Sequence, residues 1–318
     1  LKRFDVIALG ELLIDFTENS ISNSGNPIFE ANPGGAPCNV LSMLSKLGRS
    51  TAFIGKVGDD SFGHMLKREI DSSFINSDNL FFDKYTHTTL AFVHKTESGD
   101  RSFSFYRSPG ADMMLEKDEI SADFIRTGKI FHFGSLSSTH EKNREATRYA
   151  LEIAKENKLL VSFDPNLREN LWDSLDHAKS EIEYGFSKCD ILKISDNELE
   201  FMTGTSDFSK GVSIIRKKND IPLIFVTMGK NGSRAYFEDF FVEASPFIQK
   251  NTIDTTGAGD TFTACVLDGI LNCSLSSLSR ERLIEMITFA NAASSIVTTR
   301  KGALKVMPEK EEILSLLK

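Results

Sequence analysis

Cysteine is scarce in this chain: 318 residues hold only Cys38, Cys189, Cys265 and Cys273, and no two of them form a CxxC pair. That spacing excludes a zinc ribbon and a disulfide framework, and it fits a reducing cytoplasm. Positive charge is also short, with 37 Lys and Arg against 45 Asp and Glu for a net charge of -8. Nucleic acid and anionic membrane are therefore not expected partners, since both call for a basic patch and counterion release. No apolar run reaches the length of a membrane span. The opening stretch LKRFDVIALGELLIDF meets Glu11 and Asp15 early and shows no leader-cleavage pattern; an initiator methionine or tag is expected ahead of Leu1. Two nucleotide-binding signatures are missing as well. No GxGxxG follows the first apolar run, and although Gly58 and Gly63 have P-loop spacing, His64 and Met65 stand where Lys and Ser or Thr are required. A Walker A site is excluded, and the missing GxGxxG counts against a dinucleotide-binding domain.

What is present is ample apolar content, 40% of the residues, enough for a buried core in a chain of this length. Within it the stretch Asp254 to Phe262, DTTGAGDTF, stands apart. A helical pattern follows it (Phe262, Ala264, Cys265, Val266, Leu267, Ile270), and a strand-like segment is expected before it. The glycines then fall where a helix begins, and the first N–H groups of a helix have no partner inside it. Small residues at Gly257, Ala258 and Gly259 let an anion approach those groups, with the macrodipole adding positive potential. Asp260 falls in the first turn, where a carboxylate can take the proton of a hydroxyl attacking phosphorus. A plain glycine-rich cap with a first-turn acid is the alternative.

The remainder alternates strand and helix. FDVIAL (4–9) and TAFIGKV (51–57) read as buried strands, with SFGHMLKREI as a helix. KIFHFG (129–134), the amphipathic run 141–157 and LLVSFD (159–164) continue as βαβ, the rhythm of a doubly wound sheet. ILKI, a helix capped by Ser195 or Asp196 and closed by Gly204, LIFVT and the hairpin-like RAYFEDFFVEA follow. Two parts break the rhythm. Residues 17–33 are polar and aperiodic, and 88–107 alternate around SGD as a β-hairpin. Together they would make a small sheet over the site, with Phe105 and Tyr106 packed beneath it and Arg107 on the surface.

The stretch NPGGAPCNV (32–40) runs into LSMLSKLG as a second helix start, with Pro37 in the first turn and Asn39 near the terminus. This stretch and DTTGAGDTF, in this order and about 220 residues apart, resemble the two signatures of the PfkB (ribokinase-like) carbohydrate kinases. Cys38 replaces a more usual alanine. The resemblance covers essentially the whole chain, and DPNLR (164–168) and KISDNELE (193–200) look most like the fructokinase branch.

The resemblance implies a ribokinase-like three-layer α/β/α sandwich with a central, mostly parallel sheet and a small β-sheet lid, formed by about 15–33 and 86–110 within one domain spanning 1–318. It makes Asp260 the catalytic base and Gly257, Ala258 and Gly259 the anion hole. It places Asp15, Gly34, Gly35, Asn39, Phe105, Arg107, Asn166 and Arg168 at the sugar. Lys193, Thr227, Gly229, Gly232, Asn291 and Ser295 fall to ATP. Glu198 would hold magnesium through water, although Ser195 stands where the ribokinase form carries Asn. A monovalent cation, potassium, would sit against Asp254, Thr256 and the main chain near Val297, Arg300 and Gly302. The implied reaction is phosphorylation of a hexose by Mg-ATP, fructose giving fructose 6-phosphate, in a cytoplasmic homodimer joined through the lid. Kinases of the same fold acting on 2-keto-3-deoxygluconate, another sugar or a nucleoside remain alternatives, as does a non-catalytic sugar-binding relative.

Overall fold

The first strand alternates its contacts. In β1 (Phe4–Leu9), Val6 and Ala8 join one apolar cluster while Ile7 and Leu9 join another, as expected of a strand covered on both faces. The computed structural model describes residues 2–95 and 101–318. After β1 come β2 (Leu13–Ile21), β3 (Pro27–Gly34), α1 (Ala36–Lys46), β4 (Thr51–Gly58), α2 (Ser61–Ser72) and β5 (Ile75–Asp83). The hairpin strands β6 (Leu90–Lys95) and β7 (Arg101–Tyr106) precede α3 (Ala122–Ile125), β8 (Gly128–Gly134), α4 (Glu141–Glu156) and β9 (Leu160–Asp164). Next are α5 (Leu175–Lys188), β10 (Ile191–Ser195), α6 (Asp196–Thr203), α7 (Phe208–Lys218), β11 (Leu223–Thr227), β12 (Ser233–Phe237) and β13 (Phe240–Ala244). The chain closes with α8 (Ala258–Leu271), α9 (Arg280–Val297) and α10 (Lys310–Leu316).

Among the described residues, nine strands form the large sheet in the order β13-β12-β11-β10-β9-β8-β1-β4-β5. It is parallel except for β12 and β13, which turn antiparallel at one edge. Helices α1, α2, α8, α9 and α10 contribute to the cluster on one face, and α3 to α7 to that on the other. The expected three-layer α/β/α architecture is therefore observed. From β1 the chain builds outward through β4 and β5, then returns to the other side of β1 as β8. The order reverses between those two strands, and such a switch leaves a crevice at the carboxyl ends of the strands.

The two stretches that break the rhythm form the second sheet, ordered β3-β2-β6-β7. Both its hairpins are antiparallel, and β2 and β6 join them in parallel. The SGD turn of the second hairpin lies outside the described residues. Register puts Asp15, Asn32, Ala91 and Phe105 in one row, so they share a face, while Phe16 and Phe92 stack at 5.0 Å on the other.

Three local expectations are corrected. No strand leads into α8, because the chain from Ser245 to Thr256 is irregular. Tyr106 is 67% exposed rather than packed beneath the sheet. Arg107 is buried rather than on the surface, because Asp112 gives its charge a partner inside the protein.

Candidate active site

Helix α8 starts on Gly257, whose φ of 79° is left-handed and whose Cα faces Ala303, leaving only 2.9 Å for an added Cβ. Both facts call for glycine. Asp254 Oδ1 accepts the Thr256 N–H at 2.8 Å and folds the chain into that turn. The Ala258 N–H, expected to point outward, donates instead to Thr255 O at 3.2 Å, and Thr261 N–H makes the first helical bond, to Gly257 O. The outward end of the helix is thus narrower than the three residues expected.

Asp260 is the third residue of α8 and is 8% exposed. Its Oδ2 accepts a hydrogen bond from Asn39 Nδ2 at 2.8 Å, joining α8 to α1. Burial pushes its carboxyl up to about 6, and nearby Asp164 adds to this, while the Asn39 bond, Lys193 and Arg168 pull it down. The other amide atom, Asn39 Oδ1, is buried with no partner among the described residues. Asp15 comes from the lid-like sheet. Burial raises its carboxyl to about 7, with Arg168 opposing and Asp254 and Asp260 adding to the rise. Gly34 lies against Asp15 so tightly that a methyl group would overlap Oδ2.

Beyond the α8 turn, the Lys193 ammonium pairs with Asp164 at 3.1 Å, both side chains buried. Burial works against the Lys193 charge, but Asp164, Glu198 and Asp260 outweigh it and raise its pKa. A Cβ on Gly259 would stand 3.1 Å from this ammonium, so the cation lies directly beside the turn. Asn166, at φ 43°, accepts from Arg168 Nη1 at 2.8 Å, and Arg168 is exposed. Glu198 straps this loop down. Its Oε1 accepts the Leu167 N–H at 2.7 Å and its Oε2 the Ser195 N–H at 2.8 Å, a capping box closed by Ser195 Oγ.

A cleft of about 380 Å³ opens on the other side of α8, walled by Thr227, Gly229, Gly232, Gly259, Asn291 and Ser295. Asn291 spends its amide on the wall itself, accepting from Ser233 Oγ at 2.9 Å and donating to Ser245 O at 3.0 Å. Ser295 Oγ similarly donates to Ala292 O and accepts from Gln249 Nε2. Asp254, Thr256 and Gly302 line a much smaller cavity together with Asp15 and Asn32. Val297 is buried in the core, and the Arg300 guanidinium turns to Val306 O and Glu312.

The arrangement is a glycine-rich turn opening a helix, a buried carboxylate of raised pKa, a buried cation and an apolar cleft meeting at one end of a doubly wound sheet. Residues 3–310 match the family described as pfkB family carbohydrate kinase. The chain belongs to this family. It is a carbohydrate kinase. It is 43% identical over 315 residues to "Probable fructokinase-2" of Arabidopsis thaliana, covering 98% of this chain and 95% of that protein. To "Fructokinase-1" of Zea mays it is 41% identical, covering 98% and 97%. The fructokinase from Xylella fastidiosa solved with bound ATP has a TM-score of 0.91 and 29% identity, with 100% of this chain and 98% of that chain covered. The fructokinase from Vibrio cholerae O395, solved with fructose, ADP and calcium, has a TM-score of 0.89 and 29% identity, with 99% of each covered.

Within the kinase the motif residues Asp15, Asn39, Asp260, Arg168 and Lys193 converge across the three-dimensional fold. Arg107 stands apart from that group. Its guanidinium is held by Asp112 at 2.7 Å, Thr139 Oγ1 at 2.8 Å and Leu136 O at 3.2 Å, at the foot of β7. Three buried polar residues in or near the site carry no role in the sequence reading. Asp164 enters it as the acid grouped with Asn166 and Arg168 in DPNLR, without its pairing to Lys193. His132, its Nδ1 3.0 Å from Ser162 Oγ, is held neutral because burial, aided by Lys193, lowers its pKa to about 3. Its signal was one imidazole inside the apolar run KIFHFG. Glu11 enters the sequence reading only as an early acid in the opening stretch.

Proposed function

We propose that this kinase transfers the γ-phosphoryl group of Mg-ATP to a primary hydroxyl of a hexose, converting fructose to fructose 6-phosphate. The observation that carries the reading is the Asn39–Asp260 pair at the start of α8: a base oriented by an amide whose own oxygen is buried without a partner among the described residues. Asn39 Oδ1 and Asp15 accept from sugar hydroxyls, with Gly34 and Gly35 allowing close approach and Phe105 on the Asp15 face of the lid. Arg168 and Asn166 close the acceptor side, and Arg107 braces the foot of the lid. The acceptor oxygen attacks in line, and Asp260 takes its proton as the bond to phosphorus forms; a loose transfer leaves that proton to move late. Charge on the moving phosphoryl group is met by the α8 N-terminus at Gly257 and Gly259, the Ala258 N–H being spent on Thr255 O, and by Lys193.

Adenine takes the cleft walled by Thr227, Gly229, Gly232, Asn291 and Ser295. Glu198 would hold magnesium through water, and the metal would supply charge neutralisation there; the carboxylate already accepts from the Leu167 N–H, the Ser195 N–H and Ser195 Oγ, which leaves about one of its four acceptor positions. The cavity lined by Asp254, Thr256 and Gly302 would hold potassium, with main-chain oxygens near Val297 and Arg300 as the further ligands the resemblance implies. The exposed Tyr106, Ile21 and Ile28 of the lid make it a homodimer contact. The chain acts as one domain in the cytoplasm, where four free cysteines persist; among the described residues no helix is long and apolar enough to cross a membrane.

The test is ADP release from Mg-ATP with fructose, glucose, ribose, 2-keto-3-deoxygluconate and adenosine in turn. Fructose alone should support it. Release with another member keeps the mechanism and moves the acceptor; no release with any, in protein that binds ATP, favours a non-catalytic sugar-binding relative.

A further inference from the structure

The helix that carries Asn39 has no cap of its own. Its N-cap is Gly35, which has no side chain, its first turn holds no acidic residue, and Pro37 contributes no N–H. A carboxylate from elsewhere fills the place: Glu11, between β1 and β2, accepts the Ala36 N–H through Oε1 at 2.9 Å. Glu11 is 6% exposed. A buried carboxylate is costly unless it is held and useful, and here it meets both the unpaired N–H and the positive end of α1. Arg107 and Asp112 at the foot of the lid and Cys38 on α1 are the other titratable groups facing it.

One turn of α1 separates Ala36 from Asn39. We propose that Glu11 is a positioning residue: by fixing the first turn of α1 it aims the Asn39 amide at Asp260. The proposal rests on the reading of Asp260 as the base, but its consequence can be read without turnover. The Asn39 bond lowers the Asp260 pKa, against Asp164 and the neighbouring Asp15 and alongside Lys193 and Arg168. Loosening α1 weakens that bond and lets the Asp260 midpoint rise, although Glu11 touches neither Asp260 nor the acceptor.

The test compares E11Q, which keeps an acceptor oxygen for Ala36, with E11D, which keeps the carboxyl group but withdraws it by one methylene, and E11L, which keeps neither. Carboxyl-selective NMR titration of Asp260 should show its midpoint raised by about half a unit to one unit in E11D and E11L and restored in E11Q, the size expected for loss of one hydrogen bond to a carboxylate. N39A should give the same rise, and E11D/N39A no further rise. The acid limb of kcat should move with the midpoint while KM for ATP stays put. If E11L does not fold, E11D against E11Q decides alone. A lowered Tm with the Asp260 midpoint unmoved, or additive shifts in the double variant, would overturn the proposal. Loss of the base reading shows separately, as turnover surviving in Asp260→Asn.

Discussion

Asn39 Nδ2 and Asp260 Oδ2 are 2.8 Å apart, while 221 positions separate the two residues in the chain. This bond ties the helix of the first motif to the helix of the second. It also lowers the Asp260 pKa, because an amide N–H stabilises the carboxylate against the burial that raises it.

Asp260→Asn is expected to lower kcat by about a thousand-fold or more, the scale of removing a general base from a positioned site, while ATP affinity stays within about three-fold. Coupled ADP assay and calorimetric titration of ATP measure the two separately. Near-normal turnover would remove Asp260 from the mechanism.

The same substitution should stabilise the protein. The folded pKa of Asp260, about 6, lies above its ordinary 3.8, so between those values the folded state binds the extra proton and stability falls as pH rises. The cost is absent below about pH 4 and complete above about pH 6, where it amounts to about 2 to 3 kcal/mol for this buried group. Melting curves of the Asn variant and its parent should nearly coincide at pH 4 and separate by pH 7, with the variant higher. A gap that closes as pH rises would contradict the burial of this carboxyl.

Gly259→Ala separates folding from phosphate binding. Gly259 lies inside α8, where alanine is the better helix former by up to about 1 kcal/mol. The added methyl stands 3.1 Å from Lys193 Nζ, on the surface an anion would approach. We expect an unchanged or raised Tm with kcat lowered by about a hundred-fold, comparable to loss of one oxyanion-hole donor. Unimpaired turnover would show that the phosphoryl group does not pass this turn.

Lys193→Met leaves Asp164 buried without its ion-pair partner and should destabilise by about 3 kcal/mol. Adding Asp164→Asn should recover most of that loss without recovering turnover. Recovery of both would reduce Lys193 to a structural cation.

Gly34→Ala puts a methyl into Asp15 Oδ2. The acceptor KM should rise by about ten-fold or more while the ATP KM holds, because the cleft for the nucleotide lies on the other side of α8. Equal changes in both constants would mean that Asp15 does not face the acceptor.

Much of this was legible because it is local. Apolar runs of strand length, helical stripes and two short motifs are written in neighbouring residues, and they led to the sheet, α1, α8 and Asp260. What escaped depends on register. Lys193 meets Asp164 because β9 and β10 pair in parallel, and no spacing within one segment announces that. Glu11 looked like one more polar residue until the start of α1 was seen to lack a cap. Arg107 reads as exposed because a guanidinium goes to the surface unless paired, and its partner Asp112 lies five residues on in the turn after β7. The irregular path from Ser245 to Thr256 was misread since its sparse apolar residues wall a cleft rather than join a sheet.

Helix α8 follows every strand of both sheets in the chain. During synthesis the first motif and both sheets therefore leave the ribosome before the α8 turn exists. A chain interrupted anywhere before Asp254 carries Asn39 without the carboxylate its amide meets, so that pair forms only when the last fifth of the chain arrives to meet the first.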